Sequence, residues 1–119
     1  ETLNDFINYV QNSTTKENVI AVYPEGLCVN FLAERNSDNK FYSLIPLYVE
    51  IFSEDIIVKR IEIKKPEYIA ISNYDTSNYY FKEFGTDYAN NILNKIKKDY
   101  EITSEFGKDF KITLYKHKN

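Results

Sequence analysis

An α/β fold is what this sequence predicts: a small three-layer domain with a mixed sheet of about four strands, mostly parallel, and helices on both faces. Two short apolar runs carry the prediction, at residues 19–23 and at Tyr68–Ser72, each too short for a helix and each followed by a turn and then by helical periodicity. The third observation is the C-terminus, where two alternating segments flank Gly107-Lys108-Asp109 and read as a hairpin. Right-handed crossovers after the first two strands make the first three parallel and leave the last antiparallel at an edge.

Leu3, Phe6, Ile7 and Val10 fall at helical spacing, and Thr2 with Asp5 has the spacing of a capping box, so residues 3–12 read as a first helix. The β-branched run 19–23 is the first strand, stopped by Pro24-Glu25-Gly26. Leu27, Cys28, Phe31 and Leu32 then form the apolar stripe of a short helix ending near Ala33, with Cys28 as a small core residue. Residues 35–40 read as a polar loop, and 41–46 are apolar without an assigned state. Ser53-Glu54-Asp55 supplies an N-cap and first-turn acids, and Lys64-Lys65-Pro66 supplies basic residues and a stop, which favours a helix over 54–64. Tyr68–Ser72 is the second strand. Thr86 is the expected cap of the next helix, whose stripe is Tyr88, Ala89, Ile92, Leu93 and Ile96. Tyr100, Ile102, Ser104 and Phe106, then Phe110, Ile112 and Leu114, alternate as the hairpin strands.

The length corresponds to one domain, 1–119, able to bury about two-thirds of the surface of its unfolded chain. Eleven Tyr and eight Phe argue against disorder. The net charge of −3, with scattered lysines, lacks the electrostatic footprint of a nucleic-acid binder, so nucleic acid is excluded as a partner. One cysteine and one histidine give no zinc-ligand cluster and no internal disulfide, and neither a metal nor a cofactor is expected. No apolar run reaches the roughly 18 residues of a membrane span. The absence of methionine, even at position 1, is expected of a piece of a longer reading frame, and the abundance of Asn, Ile, Lys and Tyr is expected of an A- and T-rich bacterial genome.

Loops leaving the carboxyl ends of parallel strands are where open α/β sheets place ligands. Here these are the turn at Pro24-Glu25-Gly26 and the loop 73–81, so Glu25, Asn73 and Asp75 are candidates to converge. A carboxylate pair at that edge is the equipment of a glycoside hydrolase, whereas an Asx-turn at Asp75 and a turn role for Glu25 are the plainer reading. The aromatic residues Tyr74, Tyr79, Tyr80, Phe81, Phe84 and Tyr88 either roof the core or face a sugar or a protein partner. Arg35 can hold an anion through its planar fork or pair with Asp75 or Glu25. His117 sits in a basic tail, away from any nucleophile. Gly26 opens a helix after a strand, but no phosphate-loop motif surrounds it.

Taken together, Pro24-Glu25-Gly26, Asn30-Phe31-Leu32, Arg35, Ile45-Pro46-Leu47-Tyr48-Val49-Glu50, Lys65-Pro66-Glu67-Tyr68-Ile69, Asn73-Tyr74-Asp75-Thr76-Ser77 and Phe84-Gly85-Thr86-Asp87-Tyr88-Ala89 span nearly the whole chain. In order and spacing the chain resembles the soluble C-terminal domain of bacterial multi-spanning membrane glycosyltransferases similar to dolichyl-phosphate-mannose-protein mannosyltransferases. The resemblance implies a domain on the extracytoplasmic side of the cell membrane, following a last transmembrane helix. The parent would transfer a sugar from a polyprenyl-phosphate carrier, with its catalytic carboxylate in the membrane portion. The domain itself would then be non-catalytic, docking on the membrane portion of the same chain or binding a glycan, polyprenyl-phosphate-sugar or protein acceptor. Its binding candidates are Glu25, Asn30, Arg35, Asn73, Asp75, Thr76, Tyr79 and Asp87. Tyr74 stands where a basic residue is expected in relatives, which weakens a phosphate role for that loop. The alternatives are a free-standing carbohydrate hydrolase using Glu25 and Asp75, and a protein-interaction module presenting Tyr79 and Tyr80.

Overall fold

A computed structural model describes residues 1–37 and 43–119, with Leu27 and Tyr79 described by their backbone alone. Five helices and four strands follow in the order α1 (Thr2–Ser13), β1 (Ile20–Tyr23), α2 (Leu27–Ala33), α3 (Pro46–Phe52), α4 (Glu54–Lys64), β2 (Tyr68–Ser72), α5 (Asn90–Asp99), β3 (Tyr100–Phe106) and β4 (Ile112–His117). They form one mixed sheet in the order β1-β2-β4-β3. Only β1 and β2 pair in parallel, with Ile20 opposite Tyr68 and Tyr23 opposite Ile71.

Two core clusters follow from the alternation along the strands. Ile20, Val22, Ala70, Ile112 and Leu114 pack with Phe6 and Val10 of α1 and Ala33 of α2. Ala21, Tyr23, Ile69 and Tyr115 pack with Ile57 and Ile61 of α4 and Ile92 and Ile96 of α5, and Val49 and Phe52 of α3 join them. Each fully buried Ile or Leu contributes about 2 kcal/mol of transfer free energy, which makes these two sets the main stabilising term.

The sheet is less parallel than expected. β4 does not close an edge: it lies between β2 and β3 and is antiparallel to both. Burial accounts for this, because β4 buries Ile112, Leu114 and Tyr115 whereas β3 buries only Tyr100 and turns Glu101, Thr103 and Glu105 outward. Exposed acidic residues and a register shift between Ile102 and Ser104 suit β3 to a free edge. Phe110 lies outside the ladder and is exposed, and His117 is not in a tail but is the last residue of β4, its ring edge-on to Tyr100.

α3 falls where the sequence carries no assigned state, although Pro46 at its first turn is a start signal. Three further expectations are corrected. α5 begins at Asn90 instead of after Thr86, because Gly85 (φ +82°) and Ala89 (φ +58°) are left-handed and break the helical run. Along α2 the packed residues are Val29 and Ala33, so Cys28 is exposed and Phe31 is 80% exposed. Thr2 lies within α1, which has no side-chain cap, so the predicted capping box is not formed. The polar loop read at 35–40 and the apolar run from 41 extend into residues 38–42, outside the described residues.

Candidate functional site

Segment 73–89, between β2 and α5, is fixed by its own polar side chains. Asp75 Oδ1 accepts from the Ser77 N–H at 2.9 Å, which starts an Asx-turn, and the one-turn 3-10 helix Ser77–Tyr79 follows. Thr76 is fully buried: its N–H donates to the Lys82 carbonyl at 2.9 Å and its hydroxyl to the Phe81 carbonyl. Asp87 Oδ2 accepts from the N–H groups of both Lys82 and Glu83 at 2.9 Å. Below these bonds Phe84 stacks on Tyr23, and Tyr88 meets Phe84 edge-on and donates its hydroxyl to the Leu44 carbonyl at 2.8 Å. Burial pushes the Tyr88 phenol well above its ordinary value, so it remains a neutral donor.

These bonds make the segment a braced finger. At its tip Tyr80 is 94% exposed and held at φ +73°, a left-handed conformation that a tyrosine adopts at a cost. Phe81 beside it is half-exposed. Between this tip and α3 lies a groove of about 280 Å3 lined by Pro46, Leu47, Glu50, Asn78, Tyr80 and Phe81. Leu47 and Ile51, one turn apart on α3, are both more than half exposed, so the apolar surface continues along that helix.

The residues singled out from sequence divide into three groups. Asn30 and Arg35 lie by the start of β1, at the other end of that strand from Glu25. Asn30 is buried and donates to the carbonyls of Ile20 and Arg35, at 2.8 and 3.2 Å. Arg35 is buried and spends its guanidinium on Thr14 Oγ1 and on the carbonyls of Gln11, Thr14, Ala33 and Glu34, tying together the C-terminal ends of α1 and α2. It pairs with neither Asp75 nor Glu25.

Asn73, Asp75, Thr76 and Asp87 form the second group, at the β2 end of the sheet, and their bonds are internal. Asn73 clasps the hairpin, donating to the Asp109 carbonyl at 2.7 Å and accepting from the Lys111 N–H at 2.8 Å. The Ser77 hydrogen bonds, with a smaller effect of Lys82, hold the exposed Asp75 carboxyl below its usual range. Glu25 stands apart, exposed after the cis Tyr23-Pro24 bond, in a bridge with Ser43. The side chain of Tyr79 lies outside what is described.

Tyr80 and Phe81 are among the aromatic residues considered for a partner contact, whereas Leu47 and Ile51 were missed. The signal was present in Leu47-Tyr48-Val49 and Ile51-Phe52, where apolar residues fill both faces of a helix that has only one face to bury. Among the described residues no set of three or more His, Cys, Asp or Glu side chains is grouped to hold a metal. No described helix is long and apolar enough to cross a membrane. The chain matches no protein-family model and no curated protein.

Proposed function

We propose that this chain is an accessory, non-catalytic domain of a polyprenyl-phosphate-sugar-dependent membrane glycosyltransferase. It stands on the extracytoplasmic side and docks through the aromatic finger and α3 on the membrane portion of the same chain. The observation that carries the reading is the exposure of Tyr80, Phe81, Leu47 and Ile51 on elements that are otherwise tightly braced. A strained, solvent-facing tyrosine is retained where a contact outside the domain uses it. The sequence resemblance supplies the class of parent protein. Asp75, Thr76 and Asp87 act here as the scaffold of the finger, and Tyr80 and Phe81 supply the contacts.

The test is the pair Leu47→Ser and Tyr80→Ser, made in the full-length chain and in residues 1–119. Both side chains are exposed, so the isolated domain should keep its melting temperature to within about 2 °C. The detergent-extracted full-length protein should lose transfer activity and become more susceptible to proteolysis at the junction with this domain. An unchanged full-length protein would exclude this face as the docking surface.

A further inference from the structure

The sheet face that carries α5 is left open where β2 ends. Strand alternation turns Ile71 and Asn73 of the β2 end, and Lys111, Thr113 and Tyr115 of the β4 side, toward this face, with Ile71 paired to Thr113. Leu93 and Lys97, one turn apart on α5, form the opposite wall. The cleft between them is open to solvent, measures about 360 Å3 and is flanked by Glu83, Phe84 and Thr86. It shares no lining residue with the groove beside Tyr80.

Its electrostatics run against those of the chain as a whole. In a protein of net charge −3, two ammonium groups, Lys97 and Lys111, line one cleft, and neither forms an ion pair among the described residues. The single carboxylate there, Glu83, is held to the rim by the Thr86 hydroxyl at 2.9 Å. Lys111 is set in place by its backbone N–H bond to the Asn73 side-chain oxygen, and the Asn73 amide nitrogen spends one of its two N–H groups on the Asp109 carbonyl. The Thr113 hydroxyl carries no hydrogen bond among the described residues and remains available to a ligand. The floor of Ile71, Phe84 and Leu93 is apolar, and the volume exceeds what a bare oxyanion fills.

We infer that this cleft binds a small phosphomonoester of hexose-phosphate size, its phosphate between Lys97 and Lys111 and its organic body over Leu93 and Ile71. A phosphomonoester carries a charge of about −1.5 to −2 at neutral pH, which two ammonium groups match better than they match a single carboxylate. The inference goes beyond the docking reading and does not depend on it.

Amide NMR titration of residues 1–119 with glucose 6-phosphate, with glucose and inorganic phosphate as separate arms, tests it. Saturable shifts are expected at Lys97, Lys111 and Thr113 with glucose 6-phosphate, weakening as salt is raised, and none with glucose. The Lys97→Gln/Lys111→Gln variant removes two exposed side chains and should fold normally, yet bind at least about fivefold more weakly. Absence of saturable shifts, or equal binding by the variant, would overturn the inference. Inorganic phosphate binding as tightly as the sugar phosphate would overturn the part assigned to Leu93 and Ile71.

Discussion

Gly26 has no room for a side chain. A Cβ built there would lie 2.1 Å from the Cβ of Val22 and 2.9 Å from its carbonyl oxygen, so the turn out of β1 depends on close backbone approach and not on an unusual φ. Gly26→Ala should destabilise the domain by about 2 kcal/mol, read as a lower melting temperature, with no change in the finger. Tyr80 presents the opposite case, since its left-handed backbone favours glycine. Tyr80→Gly should stabilise residues 1–119 by about 1 kcal/mol while weakening docking in the full-length chain. Loss of stability in the isolated domain would mean that the exposed ring has a packing role within it. Arg35 shows how a residue attractive as an anion site is absorbed by structure: its donors meet carbonyls left open at two helix ends.

The elements that sequence located well are those whose signals are local. The Ser53 side chain does accept from the Ile56 N–H at the start of α4, and residues 19–23 and Tyr68–Ser72 form strands because runs this short and apolar are satisfied by burial on both faces. What was not legible depends on contacts made across the fold. The N-cap residue of α5 is Ala89, which has no side-chain acceptor; the carboxylate of Glu54, at the start of α4, instead accepts from the Asn91 and Ile92 N–H groups at 2.9 and 3.2 Å. In sequence Glu54 reads only as a first-turn acid of its own helix. Glu54→Ala should therefore cost about 1 kcal/mol and selectively raise amide exchange at Asn91 and Ile92, with α4 retained because Ser53 still caps it. Uniform loss of protection in both helices would contradict this division. The interior position of β4 was not legible, since Tyr100, Ile102 and Phe106 of β3 match Ile112, Leu114 and Tyr115 of β4 in number, and periodicity gives strand existence and not strand order. The separation of Arg35 from Glu25 was lost for a related reason: α2 carries the chain back along β1, so that Asn36 bonds to Ile20 at the start of the strand whose end Glu25 follows.

At the scale of the whole molecule, the domain has a closed polar framework and an apolar face that its own fold does not use. Of the carboxylates considered for hydrolysis, Asp75 accepts from the Ser77 N–H in its own turn, and Glu25 stands in the bridge to Ser43. In the proposed docking, this exposed apolar surface, held in place by the bonds of Asp75, Thr76 and Asp87, is what the rest of the chain covers. The direct measurement is the sequence of the reading frame upstream of Glu1 and the hydropathy of what it encodes. The account predicts several apolar segments of about 20 residues, the last ending just before this domain. An initiator codon immediately upstream, or a lone signal peptide, would contradict it.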